Sequence, residues 1–378
     1  MTLSLDVEVP PLAGFTVGVT AARRADELSA LLERKGATVL HGPAIRIVPL
    51  PDDTDLRQAT SDLIGQQVDF AVVTTAIGFR GWVEAAEGWG MGEDLLAVLG
   101  KARVFARGPK AKGAVRAAGL VESWSPASES NSEVLDHLLA IGVSGRRVVV
   151  QQHGEPLPDF VSALRAAGAE VVEVSVYRWT SPVDLAPLER LIDAVLAGGV
   201  DALTFTSAPA AASVLATARR MDRYDALLEA LRGPVLCVCV GSITAGPLVA
   251  VGIPVVQPER SRIGALARTV AVELPARARQ VRVGGCRLEI RGQAVVVDGV
   301  LRGVSPAPMA VLRALTEDPG RVLSRPDLIG VLRRHSGRDG SVDAHAVETA
   351  IGRLRSALGD PSLVQTVVKR GYRLAIPV

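Results

Sequence analysis

One α/β module occurs twice in this chain, in the same order, and that duplication limits the fold more than any other feature. The segment DFAVVTTAIGFRGW (69–82) is echoed by DALTFTSAPAAASV (201–214), and VFARGPKAKGAVRAAGL (104–120) by CVCVGSITAGPLVAVGI (237–253). Each copy has a short β-branched run ending in Thr-Thr or Thr-Ser before a helical stretch, then a second run ending in Gly before another helix. Short buried strands alternating with amphipathic helices are the pattern of parallel sheets flanked by helices. Two copies therefore predict two similar lobes.

Further strands are expected at FTVGVT (15–20), RRVVVQ (146–151), AEVVEVSVY (169–177) and PVLCVCV (234–240). The stretches ADELSALLERKGATVL, FVSALRAAGAEVV and SITAGPLVAVGIPVV all read helix, Gly, strand, with the glycine as a left-handed helix cap. In open α/β sheets the carboxyl ends of the strands border a ligand crevice, where hydroxyls and helix N-termini can hold anions. Those same hydroxyls also serve simply as helix N-caps, and the pattern alone leaves both roles open.

The 378 residues suit two or three globular units, and 48% hydrophobic with 22% charged residues suits folded domains. Charge is distributed unevenly. From Ala276 onward there are 17 Lys and Arg against 9 Asp and Glu, whereas the preceding part has 25 against 31, a mildly acidic unit ahead of a basic tail. Only the tail is suited to a polyanion. Without an 18-residue apolar run or a leader pattern in MTLSLDVEVPP, the expectation is a cytoplasmic protein with no membrane association. Cys237, Cys239 and Cys286 are too few for a disulfide framework, and His41, His137, His153, His335 and His345 lack ligand spacing, so no metal is expected.

Residues 14–274 resemble uroporphyrinogen-III synthase. The resemblance rests on the order of VTAARRADELSALLERKGATVLHGPAIRIVPL, FARGPKAKGAVRAAG, RVVVQQHGEPLPDFVSALRAAGAEVVEVSVYRW, FTSAPAAASVL and VGSITAGPLVAVGI. It implies a two-lobed α/β fold joined by a two-stranded ladder, with lobe one at about 14–45 plus 178–274 and lobe two at 46–177. That family cyclises hydroxymethylbilane without a cofactor. By the resemblance, Tyr177 is the tyrosine facing substrate and the sole catalytic candidate if the chain is active. Thr75 and Ser207 correspond to the strand-end hydroxyls, and Thr244 to a threonine after the last module's glycine.

Three departures stand out. Ala21-Ala22 replace Arg-Pro, with Arg23 shifted along; Ala111 replaces a threonine; Ile243 replaces a hydroxyl. Each lost charge-assisted hydrogen bond costs roughly 1.5 to 3 kcal/mol of carboxylate binding. Arg23, Arg80, Arg107, Lys110 or Lys112 could compensate, or could be ordinary solvated charge. The ligand-binding set expected is Arg23, Thr75, Tyr177, Ser207 and Thr244, for a tetrapyrrole-related or other anionic ligand.

After PARARQVRVGG (275–285), read as a linker, residues 286–378 resemble the winged-helix domain of OmpR-type response regulators. The resemblance is carried by SPAPMAVLRALTEDPGRVLSRPDLI, IGRLRSALGD and VVKRGYRL. Turns are expected at Arg291-Gly292 and Asp298-Gly299, an N-cap at Ser324, and a third helix from Ala344 to Leu358 capped by Asp343. At 100° per residue Val347, Ile351, Leu354 and Leu358 form its core stripe, opposite His345, Thr349, Arg353 and Ser356. The resemblance puts this helix in the major groove, with Arg353 on a base, Arg355 on phosphate, His345 and Thr349 nearby, and Lys369 and Arg370 in the wing. Val368 stands where the wing usually has arginine, and Gly352 where a polar residue is common.

The fold class expected is thus α/β: a two-lobed uroporphyrinogen-III synthase-like fold followed by a C-terminal winged-helix domain. The function expected is a one-component transcriptional regulator binding double-stranded DNA, as a homodimer and with RNA polymerase as a partner. Its lobes would sense a tetrapyrrole or precursor, with a link to sirohaem-dependent nitrite assimilation. The alternative is an active synthase with an appended regulatory DNA-binding domain.

Overall fold

The computed structural model describes residues 9–49, 53–152, 154, 156–180, 182–336 and 343–376. The leader reading at residues 1–8 and His153 lie outside them. The chain divides into two compact units, Arg46–Ser181 and the remainder.

In the unit 46–181, the parallel sheet has the order Glu122–Trp124, Arg103–Ala106, Phe70–Val73, Arg147–Gln151, Glu170–Val174. Its central strands Arg103–Ala106, Phe70–Val73 and Arg147–Gln151 are largely buried because helices cover both faces, as an all-parallel sheet requires. One face packs Leu63, Phe79, Trp82, Leu95 and Val115, the other Phe105, Leu138, Val148 and Leu164. Inside the first core the Trp82 indole donates to the Thr60 hydroxyl at 2.9 Å, which satisfies its one polar atom. A separate antiparallel ladder pairs Arg46–Pro49 with Tyr177–Thr180 at the two ends of this unit. The single strand expected at 169–177 is therefore divided. Glu170–Val174 joins the parallel sheet, the backbone leaves it at Ser175-Val176, and Tyr177 begins the ladder.

The other unit begins with a second parallel sheet in the order Val255–Val256, Leu236–Cys239, Ala202–Phe205, Thr16–Val19, Thr38–His41. The two sheets match strand for strand. Helices Ala76–Gly88 and Ala208–Arg220 both run 13 residues from hydroxyl N-caps, Thr75 and Ser207. Gly119 and Gly252 close equivalent helices at φ 79° and 74°, a region open to glycine at little cost. The duplication also takes in a third piece, since Thr16–His41 occupies the place that Arg147–Val174 holds in the other sheet.

Residues 275–285 differ from the expected linker. Pro275 and Ala276 end the helix Ile263–Ala276, and Arg279–Val283 forms an edge strand paired with Cys286–Arg291. That strand heads a four-stranded antiparallel sheet continuing through Ala294–Val297 and Val300–Gly303. Helices Pro306–Glu317, Arg325–Ser336 and Ala344–Leu358 follow, then strands Val364–Val367 and Gly371–Leu374. Met309, Leu312, Leu328, Val347, Ile351, Leu354, Leu358 and Leu374 form the core of this last domain.

Candidate functional site: a nucleic-acid interface and two strand-end clusters

The third helix of the C-terminal domain spans Ala344–Leu358, with the Asp343 carboxylate accepting from the Ala346 amide at 2.9 Å. With Val347, Ile351, Leu354 and Leu358 turned into the core, His345, Gly352, Arg353 and Ser356 are exposed and Thr349 is half-buried. Lys369 and Arg370 are exposed in the turn of the following hairpin, with Lys369 in a left-handed conformation at φ 61°. Beside them Val368, noted above as a departure from the resemblance, is 79% exposed.

Arg355, on the same helix, has partners within the domain. Its Nε and Nη2 donate to the Val364 carbonyl at 2.9 and 2.6 Å, and Nη2 also donates to the Thr366 hydroxyl at 2.9 Å. The guanidinium fastens the helix to the first hairpin strand. Nε and Nη2 are thus engaged with protein, a role that the sequence reading, which assigned Arg355 to phosphate, did not include.

In the 46–181 unit the structure brings Thr75 and Tyr177 together, their hydroxyls 3.2 Å apart. The Thr75 hydroxyl also caps its helix by accepting from the Gly78 amide, and the Thr75 amide donates to the Gln151 side-chain carbonyl at 3.2 Å. Gln151 is buried, and Thr74 donates to its backbone carbonyl at 2.7 Å. Gly78 is required here, because a Cβ at that position would overlap the Gln151 amide. Gln151 was missed in the sequence; its signal is a polar residue ending the buried run RRVVVQ.

Arg107 lies beside Tyr177 and Glu129, and burial lowers its guanidinium pKa while those two groups oppose the shift. Glu129, itself left-handed at φ 60°, packs over Gly108, where a Cβ would lie 2.8 Å from Glu129 Cγ. A carboxylate of the chain thus stands at the N-terminus of Pro109–Ala117. Lys112 is engaged elsewhere, 2.7 Å from the Glu122 carboxylate, which Arg116 also contacts at 2.8 Å. Arg116 and Lys112 hold that carboxyl down to about 2.

In the other sheet, Arg23, Ser207 and Thr244 follow the carboxyl ends of three neighbouring parallel strands. Arg23 is exposed. Ser207 caps its helix, accepting from the Ala210 amide at 3.4 Å. Thr244 is only 6% exposed, whereas the adjacent Ile243 is 53% exposed. Ala21 is buried. Among the described residues no three His, Cys, Asp or Glu side chains lie close enough together to hold a metal, and burial pushes the Cys237 and Cys239 thiols up to about 12. No helix of the described residues is long and apolar enough to cross a membrane.

Two family profiles match the chain. Residues 26–268 match uroporphyrinogen-III synthase HemD, and residues 303–374 match the C-terminal domain of transcriptional regulatory proteins. An uncharacterized protein of Bacillus subtilis, YjjA, is 27% identical over 259 residues, which is 68% of this chain and 94% of that protein. The response regulator protein PmrA of Pseudomonas aeruginosa is 34% identical over 119 residues, 31% of this chain and 50% of that one. Among solved structures, a mutant uroporphyrinogen III synthase of Thermus thermophilus superposes with a TM-score of 0.57 at 29% identity, covering 68% of this chain and 99% of that chain.

Proposed function

Because the chain belongs to the uroporphyrinogen-III synthase HemD family and carries an OmpR-type winged-helix DNA-binding domain at its C-terminus, we propose that it is a transcriptional regulator whose HemD-like part senses an anionic ligand. The observation that carries the sensor reading is the state of the strand ends around Ser207. By the family resemblance, Ala21 and Ile243 replace a charged group and a hydroxyl; Ala21 is buried, Ile243 is exposed and Thr244 is withdrawn from solvent. Strand ends that have lost such donors bind a polycarboxylate without the full set needed to fold it for ring closure.

Thr75, Tyr177 and Arg107 remain the best-supported ligand contacts, since they form a polar cluster on one unit. A tetrapyrrole or its precursor is the ligand class proposed, which ties the regulator to sirohaem-dependent nitrite assimilation. On DNA, Arg353 reads a base edge in the major groove while Lys369 and Arg370 engage the backbone. Two copies on repeated half-sites then present the domain to RNA polymerase. Coupling requires the ligand to bind two conformations unequally.

The test pairs two measurements on the full chain. Selection of bound genomic fragments should recover a repeated half-site, and the affinity for it should change when uroporphyrin, an eight-carboxylate porphyrin, is added. Incubation with hydroxymethylbilane should give no cyclised product beyond the spontaneous background. Turnover at ordinary enzyme rates with no porphyrin effect on DNA affinity would replace the sensor with an active synthase.

A further inference from the structure

Arg291 sits at the end of the strand Cys286–Arg291 and is 7% exposed, an unusual place for a guanidinium on a small DNA-binding domain. Its Nη1 donates to three backbone carbonyls near the start of the chain, Pro10 at 3.1 Å, Pro11 at 3.5 Å and Ala13 at 3.2 Å. Its Nε donates to the Glu289 carboxylate at 2.7 Å, and its Cζ lies over the Phe15 ring, 5.6 Å from the ring centre.

The neighbouring turn completes the contact. The Gln293 amide donates to the Gly14 carbonyl at 3.1 Å, and Arg313 donates to the Gly292 carbonyl at 2.7 Å. The Asp201 carboxylate accepts from the Thr16 amide at 2.8 Å. Two glycines allow the backbones to meet: a Cβ on Gly14 would fall 2.6 Å from Ala294 Cβ, and one on Gly292 would overlap Asp201 Oδ2 and the Gly14 carbonyl.

Thr16 opens the strand Thr16–Val19, and Asp201 immediately precedes the strand Ala202–Phe205. The far ends of these same two strands lead to Arg23 and Ser207. Four residues at ~3.3 Å each make about 13 Å of parallel strand between the two ends.

We infer that the Arg291 contact is a rigid joint that fixes the DNA-binding domain to the amino ends of the strands whose carboxyl ends carry Arg23 and Ser207. The domain therefore does not swing on a tether; residues 277–278 are the only ones between the helix Ile263–Ala276 and the edge strand Arg279–Val283. A buried guanidinium surrounded by carbonyls and one carboxylate holds its position because leaving it would strand several desolvated polar groups. The joint itself does not depend on a ligand. Its use in regulation rests on the sensor reading above: an anion that displaces either strand moves the recognition helix with it.

The experiment uses the full chain with Cys286→Ser, so that added cysteines can be spin-labelled selectively at Val272→Cys and Ser356→Cys. The wild-type pairing should give one narrow distance distribution. Arg291→Ala should broaden it at least twofold, with amide exchange at Thr16 and Gln293 accelerated tenfold or more and the recognition helix still protected. Should Arg291→Ala lose the protection of that helix, the milder Arg313→Ala decides, with a smaller broadening expected. A broad distribution in the wild type, or no broadening in a folded variant, overturns the joint. Added uroporphyrin should shift the wild-type distance. No shift alongside a joint that Arg291→Ala does loosen would remove its regulatory use and leave the joint standing.

Discussion

Arg355 and Val364 are joined by two hydrogen bonds, from Nε and Nη2 of the guanidinium to one backbone carbonyl, and this pair ties the helix Ala344–Leu358 to the C-terminal hairpin. Charged donors to a carbonyl are worth about 1.5 to 3 kcal/mol when their loss strands the acceptor. Arg355→Ala should therefore lower the unfolding free energy by roughly that amount in denaturant titration. DNA affinity should fall as well, through misplacement of the wing. A variant with unchanged stability and reduced DNA binding would return Arg355 to the phosphate role.

Arg353, two residues away and exposed, should separate from Arg355 in the same pair of measurements. Arg353→Ala is expected to leave the melting temperature unchanged and to cost roughly 1 to 3 kcal/mol on the best site, with relaxed preference at one base pair. Equal affinity of wild type and variant for the selected site would place the helix differently on DNA.

Much of this interface could be read from the sequence, because its determinants are local. The third helix lies at Ala344–Leu358 with Asp343 as its cap, since a capping side chain and a 3.6-residue stripe are both written within 15 residues. The duplicated module was legible for the same reason. What could not be read depends on partners distant in sequence. AEVVEVSVY is one β-branched run with no Gly or Pro inside it, yet its two parts pair with different strands, and that choice is made by Arg147–Gln151 on one side and Arg46–Pro49 on the other. Arg279–Val283 carries three polar residues in five and becomes a strand only because Cys286–Arg291 lies beside it. Arg291 read as one half of an Arg-Gly turn, and nothing near it announces carbonyls some 280 residues earlier in the chain.

Lys369 tests the electrostatic share of DNA binding. Its ammonium sits on an exposed turn, so Lys369→Ala should weaken binding to specific and random duplexes alike. The slope of log K against log salt should become shallower by about 1, the loss of a single phosphate contact. A change confined to one sequence, with the slope unaltered, would indicate base readout from the wing.

Glu122 gives a pH dependence whose sign follows from its surroundings. Its side chain is 5% exposed between Lys112 and Arg116, which hold the carboxyl down to about 2 from an ordinary value near 4.5. A carboxyl depressed in the folded state adds stability that is fully present above the unfolded pKa and is lost as pH falls through the folded one. Thus wild type should exceed Glu122→Gln in melting temperature at pH 6. The gap should begin to narrow below about pH 4.5 and close toward pH 2. Other depressed carboxyls, among them Asp69, held down by the Arg147 amide and Arg146, destabilise both proteins in acid, so only the difference between the two melting curves reports Glu122. A gap that stays constant from pH 6 to pH 2 would mean that folding does not lower the Glu122 carboxyl pKa and that its ionisation beside the two cations contributes no net stability.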